Sequence, residues 1–164
     1  MAQQRVRVIE IDITPSMQHN AIDLSNHNGS DIVSAYGKTV VFDYLQDIKL
    51  EPEYDRNYDI KISGNTIGIK TQERTVSPRP YNDYTLPMYD NTYPPSVFVF
   101  VSLLSNGSTG DRRFSKAWVL GMIAYESLTK SFKLWKKGEV DHVNGWKAST
   151  DCYKVYIRDL EPMI

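Results

Sequence analysis

Between Asp59 and Gln72 the chain reads D-I-K-I-S-G-N-T-I-G-I-K-T-Q, which brings a carboxylate at the head of one strand and a lysine near the end of the next to a single hairpin. Ser63, Gly64 and Asn65 accept positive φ and are flanked by alternating apolar residues, the pattern of a tight turn between two strands. On the second strand Thr66, Gly68, Lys70 and Gln72 share one face, while Ile67, Ile69 and Thr71 share the other. The isoleucine face can pack on a core, which leaves Lys70 on the opposite side. Asp59 begins the neighbouring strand, so the two polar groups can converge across the hairpin. An acid beside a lysine suits phosphodiester chemistry: carboxylates hold a hard cation such as Mg²⁺ or Mn²⁺ against the phosphate, and a lysine orients the attacking water. The plainer alternative has Asp59 capping a turn and Lys70 as a solvated sheet residue.

Several elements must position this hairpin. Arg5 to Ile13 alternates polar and apolar residues and reads as a strand that Pro15 ends. Gln18 to Gly29 is polar and rich in Asn and reads as a loop. Ser30 or Asp31 can cap a helix over Asp31 to Leu45, with Gly37 as its weak point. Pro52 to Tyr58 is an acidic connection into the hairpin. Val76 to Ser96 carries five prolines and Tyr81, Tyr84, Tyr89 and Tyr93, and reads as one long irregular segment of the kind that carries function. Val97 to Leu104 is almost wholly apolar, as a central strand covered on both faces would be. A turn at Asn106 to Asp111, a strand near Ala117 to Ala124, a helix near Glu126 to Trp135, a loop over Gly138 to Gly145 and a strand over Cys152 to Ile157 complete the chain.

The hairpin and the strands after it resemble the PD-(D/E)xK nuclease superfamily, in its phage-type members. Tyr58-Asp59 stands where Pro-Asp is usual, and Gly68-Ile69-Lys70 stands where an acid-x-Lys is usual. Val97 to Leu104 and Ala117 to Ala124 are similar to the family's next core strands. The resemblance covers roughly Asp31 to the C-terminus and departs from the pattern at Gly68, where the second acid is missing. It implies a restriction-endonuclease-like α/β (α+β) fold, with a mixed central sheet flanked by helices. It also implies Mg²⁺- or Mn²⁺-dependent hydrolysis of DNA in a cytoplasmic, phage-encoded protein. Asp59 would hold the metal together with the carbonyl of Ile69, Lys70 would assist the water, and Gln72 would position it. Dimerisation is common in the family, and the tyrosine-rich segment is a candidate for a homodimer contact.

Gly68 donates no ligand, so another acid must enter or the chain is a catalytically degenerate binding or structural module. At 100° per residue Asp43 falls among Ile32, Tyr36 and Val40 on the apolar stripe of the helix, where a carboxylate needs a partner or a metal. Asp43 is therefore a candidate ligand, although the family usually places its helix acid nearer Lys38 and Thr39. Glu51, Glu53 and Asp55 are further donors; Glu73 falls on the wrong face. Arg74, Arg79, Arg112 and Arg113 are candidates for DNA phosphates. Lys130, Lys133, Lys136 and Lys137 surround Trp135 and read first as a solvated face. A third reading takes the chain as a β-rich interaction domain. Strand order separates it from the nuclease-like readings, which require both hairpin strands and Val97 to Leu104 to adjoin beneath the first helix.

The remaining features set bounds. One domain is expected over residues 1–164, with 41% hydrophobic and 24% charged residues. A net charge of -1 argues against a general nucleic-acid coat and leaves room for a local basic patch. The single cysteine, Cys152, cannot form an internal disulfide, as suits a reducing compartment. No membrane span, signal-peptide core, Walker loop or nucleophile elbow is found. His19, His27 and His142 are isolated and lack zinc-ligand spacing.

Overall fold

The computed structural model describes residues 8–29, 31–55, 59–88, 94–105 and 114–163. It is a mixed α+β fold. The first strand, β1 (Ile9–Asp12), is followed by a helix, α1 (Pro15–Asn28), where the polar composition predicts a loop. The helix has both of its termini specified. Thr14 accepts a hydrogen bond from the Met17 N–H at 3.2 Å, Pro15 occupies the first turn, and Gly29 closes the far end at φ 68. Met17, Ala21 and Leu24 give it a buried stripe. The polar residues that suggest a loop are its solvent face.

The expected second helix is present as α2 (Ile32–Asp47), with Asp31 at the N-cap position. The acidic connection contributes a short strand, β2 (Glu53–Tyr54). The hairpin consists of β3 (Ile60–Ile62) and β4 (Asn65–Arg74), joined through Ser63 at φ 50 and Gly64 at φ 81. Two consecutive positive φ values are what a two-residue hairpin loop requires. The segment read as irregular contains β5 (Asp83–Pro87), whose Tyr84 and Leu86 turn inward. Tyr89 and Tyr93 lie outside the described residues.

The central strand β6 (Val97–Leu104) is buried along six of its eight residues, as its apolar run predicts, and β7 (Lys116–Ala124) lies beside it. The late helix is shorter than expected. It ends as α3 (Tyr125–Ser131), after which Leu134–Trp135 forms β8 against β9 (Cys152–Tyr156). A 3₁₀ turn, Ile157–Asp159, precedes the C-terminus.

Six strands form one sheet in the order β1-β7-β6-β4-β3-β2, with β4 and β6 parallel and the other pairs antiparallel. A second sheet has the order β5-β9-β8. Alternation along β6 divides the interior in two. Val99, Val101 and Leu103 pack with Tyr36, Val40, Val41 and Leu45 of α2, whereas Phe98 and Phe100 pack with Tyr84, Leu86, Tyr153 and Val155 of the small sheet. The central sheet is therefore not flanked by long helices on both faces. Helices α1 and α2 cover one face, and the three-stranded sheet covers most of the other.

Gly37 explains how α2 can lie so close. A Cβ there would stand 1.8 Å from Oγ1 of Thr71 on β4, so the residue that weakens the helix locally is what lets the helix seat on the sheet. Among the described residues no helix is long and apolar enough to cross a membrane.

Candidate functional site

The middle of β4 carries the expected lysine, with the expected acid at the head of β3, and each has a different neighbour from the one the hairpin suggests. Asp59 stands just before β3, where its Oδ1 lies 3.7 Å from Nζ of Lys38 on α2. Its backbone is also fastened. Asp55 Oδ1 accepts a hydrogen bond from the Asp59 N–H at 2.9 Å, and the Asp55 N–H donates to the Asp59 carbonyl at 2.9 Å. Lys70 projects from the other face of the sheet, level with Phe100, with Nζ 5.9 Å from the centre of the Phe98 ring. Ile69 faces the helices and stands opposite Val99 in the parallel ladder.

Gly68 sits opposite Phe98, and an added Cβ would meet ring atoms of Phe98 at 2.8 and 2.9 Å and Cγ of Pro95 at 3.0 Å. Phe98 is fully buried, so its ring has nowhere to retreat. The position that carries the second acid in the expected pattern is filled by packing. Asp43 does not replace it. It lies in the helix layer and lines a cavity of about 450 Å³ between α1 and α2, with Asp23, His27, Phe42 and Tyr54. Burial, and then the neighbouring charge of Asp47, raise its carboxyl above the usual range. Burial and the Asp43 charge also push the Tyr54 phenol up to about 12, with a hydrogen bond to Thr39 opposing them. Asp43 and Lys70 are thus on opposite faces of the sheet.

Glu51 and Glu53 are exposed, and the Asp55 carboxylate is engaged by backbone. Among the described residues no group of three or more His, Cys, Asp or Glu side chains is arranged to hold a metal ion. A Mg²⁺ ion is usually held by one or two carboxylates and completed by waters and substrate phosphate; of the expected donors, Asp59 is paired with Lys38 and Asp43 lies in the helix layer.

The second half of β4 is built differently. Arg74 Nη2 donates to Gln72 Oε1 at 2.8 Å and makes a longer contact, 3.4 Å, with the Asp83 carbonyl; the guanidinium lies 5.6 Å from the centre of the Tyr84 ring. Gln72, expected to position a water, instead orients this arginine. Tyr84 is itself fixed, because its hydroxyl donates to the Val101 carbonyl at 2.7 Å. Burial raises its phenol far above the ordinary value, with Arg74 pulling the other way. Arg74 and Arg79 line one open groove of about 590 Å³ with Tyr81, Asn82, Ser105 and Glu73. The groove lies where the parallel strands β4 and β6 end, the part of an α/β sheet that most often receives ligands. Arg112 and Arg113 lie outside the described residues.

Two of the cations near Trp135 are engaged locally. Lys133 stands 3.7 Å over the Trp135 ring and pairs with Glu139 at 2.8 Å; Lys136 pairs with Asp151 at 3.5 Å. No family model, curated protein or solved structure matches this chain.

Two contributors were not legible in the sequence. Lys38 is one polar residue of a helix until the fold sets it beside Asp59. Tyr84 looks like its neighbouring tyrosines until β5 turns it under Arg74. The alternation of Asp83 to Pro87 was the available signal for that strand, and the surrounding prolines obscured it.

Proposed function

We propose that the chain is a nucleic-acid-binding module on a nuclease-like sheet, which holds a phosphate backbone without hydrolysing it. The scaffold half of this reading draws support from strand order: β3, β4 and β6 adjoin, and α2 packs across them. The observation that carries the lack of hydrolysis is Gly68, whose missing side chain is replaced by Phe98 and Pro95. The Lys38 ammonium beside Asp59 adds to it, since a fixed cation competes with a metal for the same carboxylate.

Binding falls to the other end of β4. Arg74 is held by Gln72 and Tyr84 before any ligand arrives, so little side-chain freedom is lost when its guanidinium meets a phosphate. Arg79 supplies a second cation in the same groove and Glu73 a single opposing charge. Such a local patch is compatible with a chain whose net charge is -1.

The second reading is a Mg²⁺- or Mn²⁺-dependent deoxyribonuclease using Asp59, Lys70 and Gln72, and the same strand order favours it. One experiment separates the two. Fluorescence anisotropy with labelled DNA should give metal-independent binding that weakens steeply with salt. Arg74→Ala should weaken it on the order of tenfold, as expected for one lost charge-assisted contact. Incubation with Mg²⁺ or Mn²⁺ should leave the DNA intact. Cleavage that Asp59→Ala abolishes would establish the nuclease instead, and no binding at low salt would overturn the proposal.

A further inference from the structure

We infer that the Arg74–Arg79 groove receives single-stranded nucleic acid, with a phosphate on the arginines and an unstacked base on Tyr81; this rests on the nucleic-acid reading above. Tyr81 is 65% exposed and is the one aromatic among the large, exposed hydrophobic residues described. It lines the same groove as both arginines, and so does the exposed Val76. An exposed aromatic ring in the same groove as two guanidinium groups offers a stacking face next to the cations that would hold a phosphate.

The backbone that carries the ring is also held in place. Residues Arg79 to Asn82 form a tight turn, closed by the Asn82 N–H on the Arg79 carbonyl at 3.0 Å and by the Arg79 N–H on Asn82 Oδ1 at 2.7 Å. Pro80 at the second position fixes φ for such a turn. The turn is then tied to the C-terminal segment on both sides of Tyr81. The Arg158 N–H donates to the Pro80 carbonyl at 3.0 Å, and the Ile157 N–H donates to the Asn82 carbonyl at 2.9 Å. Tyr81 is therefore an aromatic side chain on a fastened backbone, a geometry that lowers the entropy lost on stacking.

Duplex bases are paired and stacked on one another, so their faces are closed to a protein ring. Bases of a single strand offer theirs, and stacking on an aromatic tolerates any sequence. Phosphate contacts alone would serve either form. Tyr81 is the residue that distinguishes them, and Asn82 and Ser105 supply polar groups beside the stacked base.

The test uses three labelled probes with the full chain: a short oligodeoxythymidine, the same strand carrying abasic sites, and a duplex of equal length. Wild type should bind the thymidine strand best. Tyr81→Ala should weaken that binding about tenfold and leave the abasic strand unaffected. Tyr81→Phe, which keeps the ring, should behave as wild type. Thermal melting of both variants should match wild type, since the side chain is exposed. Equal binding of thymidine and abasic strands, tighter binding of the duplex, or indifference to Tyr81→Ala would overturn the inference while leaving the nucleic-acid reading intact. Failure of all three probes to bind would overturn both.

Discussion

The two ends of β4 each present a cation on the same face and arrive at opposite arrangements. In the stretch through Lys70, Gly68 and Lys70 share a face with a buried phenylalanine, and Asp59 is drawn to Lys38 on the helix side. In the second half, Gln72 and Arg74 bond to one another, Tyr84 lies beneath them, and the groove beyond is open. One end has lost its space to packing, and the other packs a cation into the wall of an open groove. A motif's residue types at the right spacing are therefore only part of what makes a site. The deciding question is whether neighbouring layers leave room for their side chains to converge.

Four substitutions break or sharpen that contrast. Gly68→Asp is the largest. The new side chain must displace Phe98 and Pro95, and overpacking of this kind costs about 3 kcal/mol. Urea denaturation should register the loss, and calorimetry should find no gain in Mn²⁺ binding. An undiminished midpoint together with new metal binding would mean that the first half of β4 is open after all.

Next is Tyr84→Phe, which leaves the buried Val101 carbonyl without its donor and should cost about 1.5 kcal/mol. It should also weaken DNA binding less than Arg74→Ala does, because the ring under the guanidinium remains. If binding were lost as completely, the hydroxyl rather than the ring would be what supports Arg74.

Asp43→Asn tests the helix-layer acid. Its folded pKa is raised by burial and by Asp47, so its contribution to stability is fully present below the ordinary carboxyl value and is lost as pH rises through the folded one. At neutral pH the asparagine variant should be the more stable, by less than about 1 kcal/mol because the group is partly solvated. Melting curves at two pH values should show the advantage closing in acid. A destabilised variant would mark the Asp43 carboxylate as a structural partner in the helix layer, and loss of metal-dependent behaviour would mark it as a ligand.

Lys38→Ala should be the smallest. The pair with Asp59 is long and the carboxylate is half exposed, so removing it should change stability by about 0.5 kcal/mol or less. A larger effect would show that the ion pair fixes the start of β3.

Local pattern by itself determined much of this protein. The hairpin at Ser63–Gly64, the two-faced character of β4, the buried β6 and the span of α2 all come from side-chain period and turn chemistry. Those signals are written within a few residues of where they act. The helix α1 was equally local, in Thr14, Pro15 and Gly29, but its polar surface hid it. What only the tertiary structure decided is which groups meet. Gly37 yields to Thr71, Gly68 to Phe98, Asp59 turns to Lys38, and Arg74 rests on Tyr84. Each of these contacts joins different elements of the chain, most of them from different layers. Period can say which face a residue shares, but the neighbour that fills that face is set by how whole layers pack.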